Sequence, residues 1–474
     1  MAEQKDKQES EATGEDSPET SEPEALQVSR ELVENLTDLV LDCFPVQQEK
    51  RRIGLRTAFP VCAKNGRAGD SGTLWPFLKK MGSFQEYREK NGMLSALIGE
   101  EYRFSVTTGR GMIEIEIPLC SSLQEVERRL RKSVKQVQEA ATKWKQVVLE
   151  YGGQPIQEMN PEALTHKYHY FSLLRRLKEP YCYQGVQATS QIELSVSREE
   201  LLGLFNWAHL LTPIFQHVSA NSPILGGKDS YRSSARMWHQ SKLEVGDGRW
   251  QMIETPYSGI DEWVFHLFYQ PHLLCKDPEG WLDPAEGLFG QHAKGKTGIE
   301  VWDDFLDHVD TLWTGAQPKL RSGTLQFAEV EQCGIAKTLG LMALSLGVAE
   351  NKDKIFDWLE DLVPDPPAKR EFGLWPHQIL QRNLDYQKDL WKPLHQLWTE
   401  QIRRDQKEEP FSGLWDGIFC LAEEGLIKRG LGEERYLQTI RKIEDQSTEL
   451  RRAWILGGAE ELIERVRMLD MEEH

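Results

Sequence analysis

The sequence predicts an α+β fold with a mainly antiparallel sheet covered by helices. Short segments alternate apolar and polar residues with period two around Ile53, Met112, Gln191 and Thr324. Runs of helical periodicity separate them, as in 122–151 and 199–218. The segments 102–108 and 112–118 meet across Gly109-Arg110-Gly111, which is hairpin spacing.

In chain order, residues 1–25 are acidic, Ser/Pro-rich and nearly free of apolar groups. Burial cannot offset their ordering entropy, so a disordered tail is predicted. Residues 26–474 form the folded domain. Apolar spacing over 26–44 gives a helix, 52–61 a strand, and 74–81 and 84–90 short helices. Pro118 is expected to end the second hairpin strand. Ser122 with Glu125 three residues on is a capping box, opening a helix whose apolar stripe includes Leu123, Leu130, Trp144 and Val148. A strand over 187–196 and a helix over 199–218 follow. Helices are then expected over 261–274 and 297–312, a strand over 323–330, and a buried small-residue helix over 334–348. A short helix over 355–362 and a helical C-terminal part (375–403, 415–429 and 435–469) complete the prediction.

A net charge of -18 argues against nucleic-acid or anionic-membrane partners. No apolar run has the length of a membrane span. The seven cysteines include no CxxC pair, so reduced thiols and a cytoplasmic location are expected. His166 and His169 lack a nearby third ligand for a metal.

The helix over 199–218 runs into Ala220-Asn221-Ser222-Pro223, then Gly226-Gly227, then Ser234-Ala235-Arg236 and Trp238. A broken helix, an amide side chain and an arginine at one spot suit a small carboxylate or phosphate. The same residues also suit a helix terminator and a solvated loop. With Gln191, Trp302-Asp303-Asp304-Phe305 and 421–430, the stretch resembles the substrate loop of plant- and bacterial-type glutamate–cysteine ligases. The resemblance implies a curved sheet like that of glutamine synthetase, with the active site in its concave face. It implies ATP-dependent joining of the glutamate γ-carboxylate to the cysteine amine, with magnesium held by sheet glutamates. It also assigns Asn221, Ser222, Ser234, Arg236 and Trp238 to substrate binding, with Arg236 and Asn221 facing the mouth of the sheet.

Most of the family's metal-binding acids are missing. The family's first strand reads Gly-x-Glu-x-Glu, where this chain has Gly54-Leu55-Arg56-Thr57-Ala58. A family glutamate falls at Thr107 or Thr108, and the late acid and arginine fall at Gln326 and Ala328. The remaining oxygen ligands are Glu114, Glu116, Gln191 and Glu193, a weak set for magnesium because amide oxygens lack charge. Alternation puts these four with Arg56, Ala58, Gln326 and Ala328 on one face. Arg56 is expected to replace the metal by salt-bridging Glu114 or Glu193. Two readings follow. One is a non-catalytic relative, needing no cofactor, that binds a small amino acid, a peptide or a protein partner. The other is an active ligase using ATP and magnesium on the relocated acids, with an altered acceptor.

Overall fold

The computed structural model describes residues 28–48, 50–240, 257–354, 358, 412–442 and 446–469. The chain begins with α1 (Arg30–Asp42), β1 (Ile53–Ala63) and α2 (Trp75–Leu78). A meander follows: β2 (Gln85–Arg88), β3 (Leu94–Ile98), β4 (Arg103–Val106) and β5 (Met112–Cys120). Next come α3 (Leu123–Thr142), β6 (Gln146–Val148), α4 (Tyr168–Leu177), β7 (Thr189–Ser195) and α5 (Arg198–Ser219). The middle of the chain holds the pair β8 (Ile224–Leu225) and β9 (Lys228–Asp229), then α6 (Ala235–Gln240) and α7 (Ile260–Phe268). The pair β10 (Leu274–Lys276) and β11 (Leu282–Pro284) leads to α8 (Phe289–His292) and α9 (Gly298–Asp310). The hairpin β12 (Ala316–Lys319) and β13 (Thr324–Glu331) is followed by α10 (Ile335–Glu350), α11 (Ser412–Arg429) and α12 (Ser447–Val466).

The main sheet has the order β12-β13-β7-β1-β5-β4-β3-β2, and β6 pairs with the far half of β1. Every pairing is antiparallel, as the alternation predicts. On one face Leu55, Ile113, Ile115, Ile192, Leu325 and Phe327 are buried in the main core with the apolar stripes of α3 and α5 and with α10. Each such side chain contributes roughly 1.5–3 kcal/mol by leaving water. Helix α10 is buried nearly all round, as its composition predicts, because α11 covers its outer side. Gly347 and Gly425 permit that crossing. A Cβ at Gly347 would strike the Ala422 carbonyl, and one at Gly425 the Gly347 carbonyl.

Several boundaries differ from the sequence reading. Residues 85–88 are a strand rather than a helix. All four are exposed at the sheet edge, where charged side chains guard against further pairing. The stripe predicted through 151 ends at Thr142, because Lys145 takes a left-handed φ of 55° and turns the chain into β6. Trp144 is therefore exposed, and its indole donates to the Thr73 carbonyl at 2.9 Å. Pro118 does not end β5. The register with β1 shifts between Ile53 and Leu55, and such a bulge tolerates a proline. The region 435–469 splits into a 3-10 turn (Glu433–Thr439) and α12. Strands β3, β6 and β12 were not expected. The tail 1–25, most of the helix at 355–362 and the helix at 375–403 lie outside the described residues. No helix among the described residues is long and apolar enough to cross a membrane.

Candidate functional site

The second face of the sheet is polar and forms the floor of a cavity of about 250 Å³. Register fixes its layout. Arg56 on β1 stands opposite Glu116 on β5 and Gln191 on β7. Glu114 stands opposite Ala58 and Ser105, and Gln326 on β13 opposite Glu193 and Gln317. Residues two apart on a strand share a face, so the alternating chemistry of five strands meets on one surface.

At its centre Arg56 Nη2 lies 3.0 Å from Glu114 Oε1, and Arg56 Nε lies 3.9 Å from Glu116 Oε2. Ser105 Oγ also donates to Glu114 Oε1 at 2.8 Å, and Arg103 approaches Glu116 at 3.7 Å. Burial alone would raise the Glu114 carboxyl, but Arg56, with Ser105 and Arg103, outweighs burial and holds it below the usual carboxylate range. Glu193 goes the other way. Burial raises its carboxyl, and the fields of Arg56 and Lys319 only partly offset that.

Beyond Arg56 the floor is a row of amides. Gln326 Nε2 donates to Gln191 Oε1 at 2.9 Å, and the Gln317 amide meets Gln326 at 3.2 Å. The walls include Thr107, Thr108, Tyr170, Tyr183, Trp313 and Arg236. Lys167 and Lys319 also reach the cavity, each paired at 3.0 Å, with Glu89 and Asp310 respectively.

These residues do not fit magnesium. A hard divalent cation needs several charged oxygens free to converge on it. Glu114 is committed to Arg56 and Ser105, Glu116 lies between two arginines, Gln191 accepts from Gln326, and Glu193 accepts from Thr324 at 3.3 Å while burial disfavours its charged form. Among the described residues no group of three His, Cys, Asp or Glu side chains can hold a metal ion.

The loop residues separate into two sets. Arg236, at the start of α6, lines the cavity although it is only 3% exposed. Asn221, Ser222 and Ser234 lie buried behind it. Asn221 Oδ1 accepts the Gly152 N–H at 2.9 Å, and its Nδ2 donates to the Glu150 carbonyl at 3.1 Å. Ser222 Oγ donates to Glu331 Oε1 at 3.0 Å, and Ser234 Oγ donates to the same oxygen. The Arg232 guanidinium stacks over Trp238 at 4.8 Å from the ring centre, outside the cavity lining. Glu331, which the sequence reading did not single out, is thus the carboxylate the loop encloses.

The model of Glutamate-cysteine ligase family 2 matches residues 79–309. That segment includes the loop and strands β2 to β5 and β7, and it ends before β12 and β13. Among solved structures the chain is similar to a bifunctional glutathione synthetase from Pasteurella multocida, with 11% identity and a TM-score of 0.35. The likeness covers 89% of this chain and 54% of that one, so the chain spans about half the length of that enzyme. It is also similar to a glutamate–cysteine ligase from Francisella tularensis in complex with AMP, with 10% identity, a TM-score of 0.37, and coverage of 89% of this chain and 98% of that one. No curated protein matches the chain. Just under half of the chain, residues 79–309, thus resembles Glutamate-cysteine ligase family 2.

Proposed function

We propose that the chain is a divergent member of Glutamate-cysteine ligase family 2 that binds a small amino acid or peptide in the polar cavity and does not carry out metal-dependent ligation there. The observation that carries the reading is the Arg56–Glu114 pair at 3.0 Å. A guanidinium is a permanent cation with a fork of donors, so it can neutralise neighbouring carboxylates where a ligase of this family would use magnesium. ATP-dependent activation of a carboxylate needs that metal, because the triphosphate must be neutralised as phosphate is transferred. A fixed arginine can neutralise charge but cannot bridge and reposition phosphate oxygens as a metal does.

What the cavity retains suits a polar ligand. Arg236 offers donors to a carboxylate, and the row Gln191, Gln326 and Gln317 offers amides to a peptide-like group. Calorimetric titration tests the reading. Glutamate or a short glutamyl peptide is expected to bind equally with excess EDTA and with magnesium, and Mg-ATP is expected to give no heat. Tight Mg-ATP binding that strengthens glutamate binding would favour the active-ligase reading instead.

A further inference from the structure

Among the described residues five glutamines line the cavity: Gln184, Gln187, Gln191, Gln317 and Gln326. They form two rows. On the floor Gln326 Nε2 donates to Gln191 Oε1 at 2.9 Å, and the Gln317 amide meets Gln326 at 3.2 Å, so the row crosses β7, β13 and β12. In the segment before β7, Gln187 Nε2 donates to Gln184 Oε1, and Gln184 Nε2 donates to the Tyr183 hydroxyl at 2.8 Å. An amide carries both a donor and an acceptor, so the floor row keeps its internal bonds when all three amides turn over. Turned over, Gln317 also donates to the Leu312 carbonyl and accepts from Lys319 Nζ, each at 3.1 Å. Gln187 Oε1 is buried and has no hydrogen-bond partner among the described residues. A ligand N–H can satisfy that acceptor, and a carboxylate cannot.

Four cations around the rows are already answered by acids of the chain. Arg56 has Glu114 at 3.0 Å, Arg103 has Glu116 at 3.7 Å, Lys167 has Glu89 at 3.0 Å and Lys319 has Asp310 at 3.0 Å. A ligand side chain ending in a carboxylate must compete with these acids and sit against amide oxygens. A carboxamide carries no charge, and it both donates and accepts, so it meets the floor row in either direction. We infer that the cavity selects an amino acid whose side chain ends in a neutral carboxamide, the chemistry of glutamine, over the same ligand ending in a carboxylate. Gln191 and Gln326 are the specificity-determining residues. This rests on the proposed reading of the cavity as a site for a small amino acid or peptide, and it names the class of side chain taken there.

Calorimetric titration of the full chain with glutamine and with glutamate, at neutral pH in EDTA, tests the inference. Glutamine should bind more tightly by about tenfold or more, the scale of leaving one buried acceptor unsatisfied. Gln326→Met keeps a side chain of similar length and removes the amide. Its preference for glutamine should fall to about threefold or less, through weaker glutamine binding. Gln191→Met carries the same expectation and serves if Gln326→Met does not fold. Glutamate binding as tightly as glutamine to the parent would overturn the inference and leave the cavity reading standing. A preference that survives undiminished in the folded methionine variant would also overturn it, since the amide row would then not be its source. Heat from neither amino acid would overturn the inference together with the reading on which it rests.

Discussion

Arg56 and Glu114 face each other on adjacent strands, Nη2 to Oε1 at 3.0 Å, at the centre of the polar sheet face. The pair is part-buried: the Arg56 side chain is 35% exposed and that of Glu114 13%. Arg56→Ala should therefore cost less than breaking a fully buried pair, about 1–3 kcal/mol. Urea unfolding measures it. A change under about 0.5 kcal/mol, the range of an ordinary surface substitution, would mean that Arg56 does not hold this face together.

The same pair sets a pH dependence. The folded Glu114 carboxyl titrates below its usual range, because Arg56 outweighs burial. Its stabilisation is complete above the usual carboxylate range and is lost as pH falls through the lower folded value. Glu114→Gln should thus be less stable than the parent at neutral pH, with the gap closing in acid. Glu331 has a raised carboxyl and the opposite sign: stability falls as pH rises from the usual carboxylate range through the raised value. Comparing each glutamine variant with the parent from pH 3 to 7 separates the two slopes. A gap for Glu114→Gln that widens in acid would refute the assignment.

Arg429 is a second structural centre. Its Nε bonds Glu433 Oε2 at 2.6 Å, and its Nη1 bonds Glu350 at 2.7 Å. Glu433 is fully buried, and its other oxygen accepts the Leu123 N–H at 2.7 Å, capping the N-terminus of α3. Arg429→Ala leaves that carboxylate buried without its cation, at a cost of roughly 3–5 kcal/mol. Denaturant unfolding should show a loss of this size, whereas Glu461→Ala at an exposed pair should stay within about 0.5 kcal/mol.

The α10–α11 crossing makes a steric prediction. Gly425→Ala places a methyl against the Gly347 carbonyl, and backbone cannot move aside as a flexible side chain can. The loss should be about 1–3 kcal/mol or more. Gly430→Ala is a control of a different kind. Nothing lies within 4 Å of its Cβ position, but its φ of 67° makes the residue unfavourable for alanine by a smaller amount. A Gly425→Ala variant as stable as the parent would refute the close crossing.

The polar face was legible because period two is rigid: once Arg56, Glu114, Gln191 and Gln326 were aligned on strands, their shared face followed. The residue identities also exposed the ion pair, since an arginine among acids on one face must pair or pay desolvation. Glu331 was not legible. The β13 register shifts between Phe327 and Val330, and a bulge breaks the alternation that would carry the count from Gln326 to Glu331. The roles of Asn221, Ser222 and Ser234 were hidden for a related reason. Their partners, Glu331, Glu150 and Gly152, are distant in sequence, and no local pattern announces them. The exposed strand β2 was missed because its four polar residues carry no alternation at all.

The central claim is that Arg56 stands where ligation would need a metal. Coupled measurement of ADP release with glutamate, cysteine, ATP and magnesium tests it most directly. No ADP release that depends on both amino acids is predicted. Release matched by amide product and abolished by Glu114→Gln would contradict the claim.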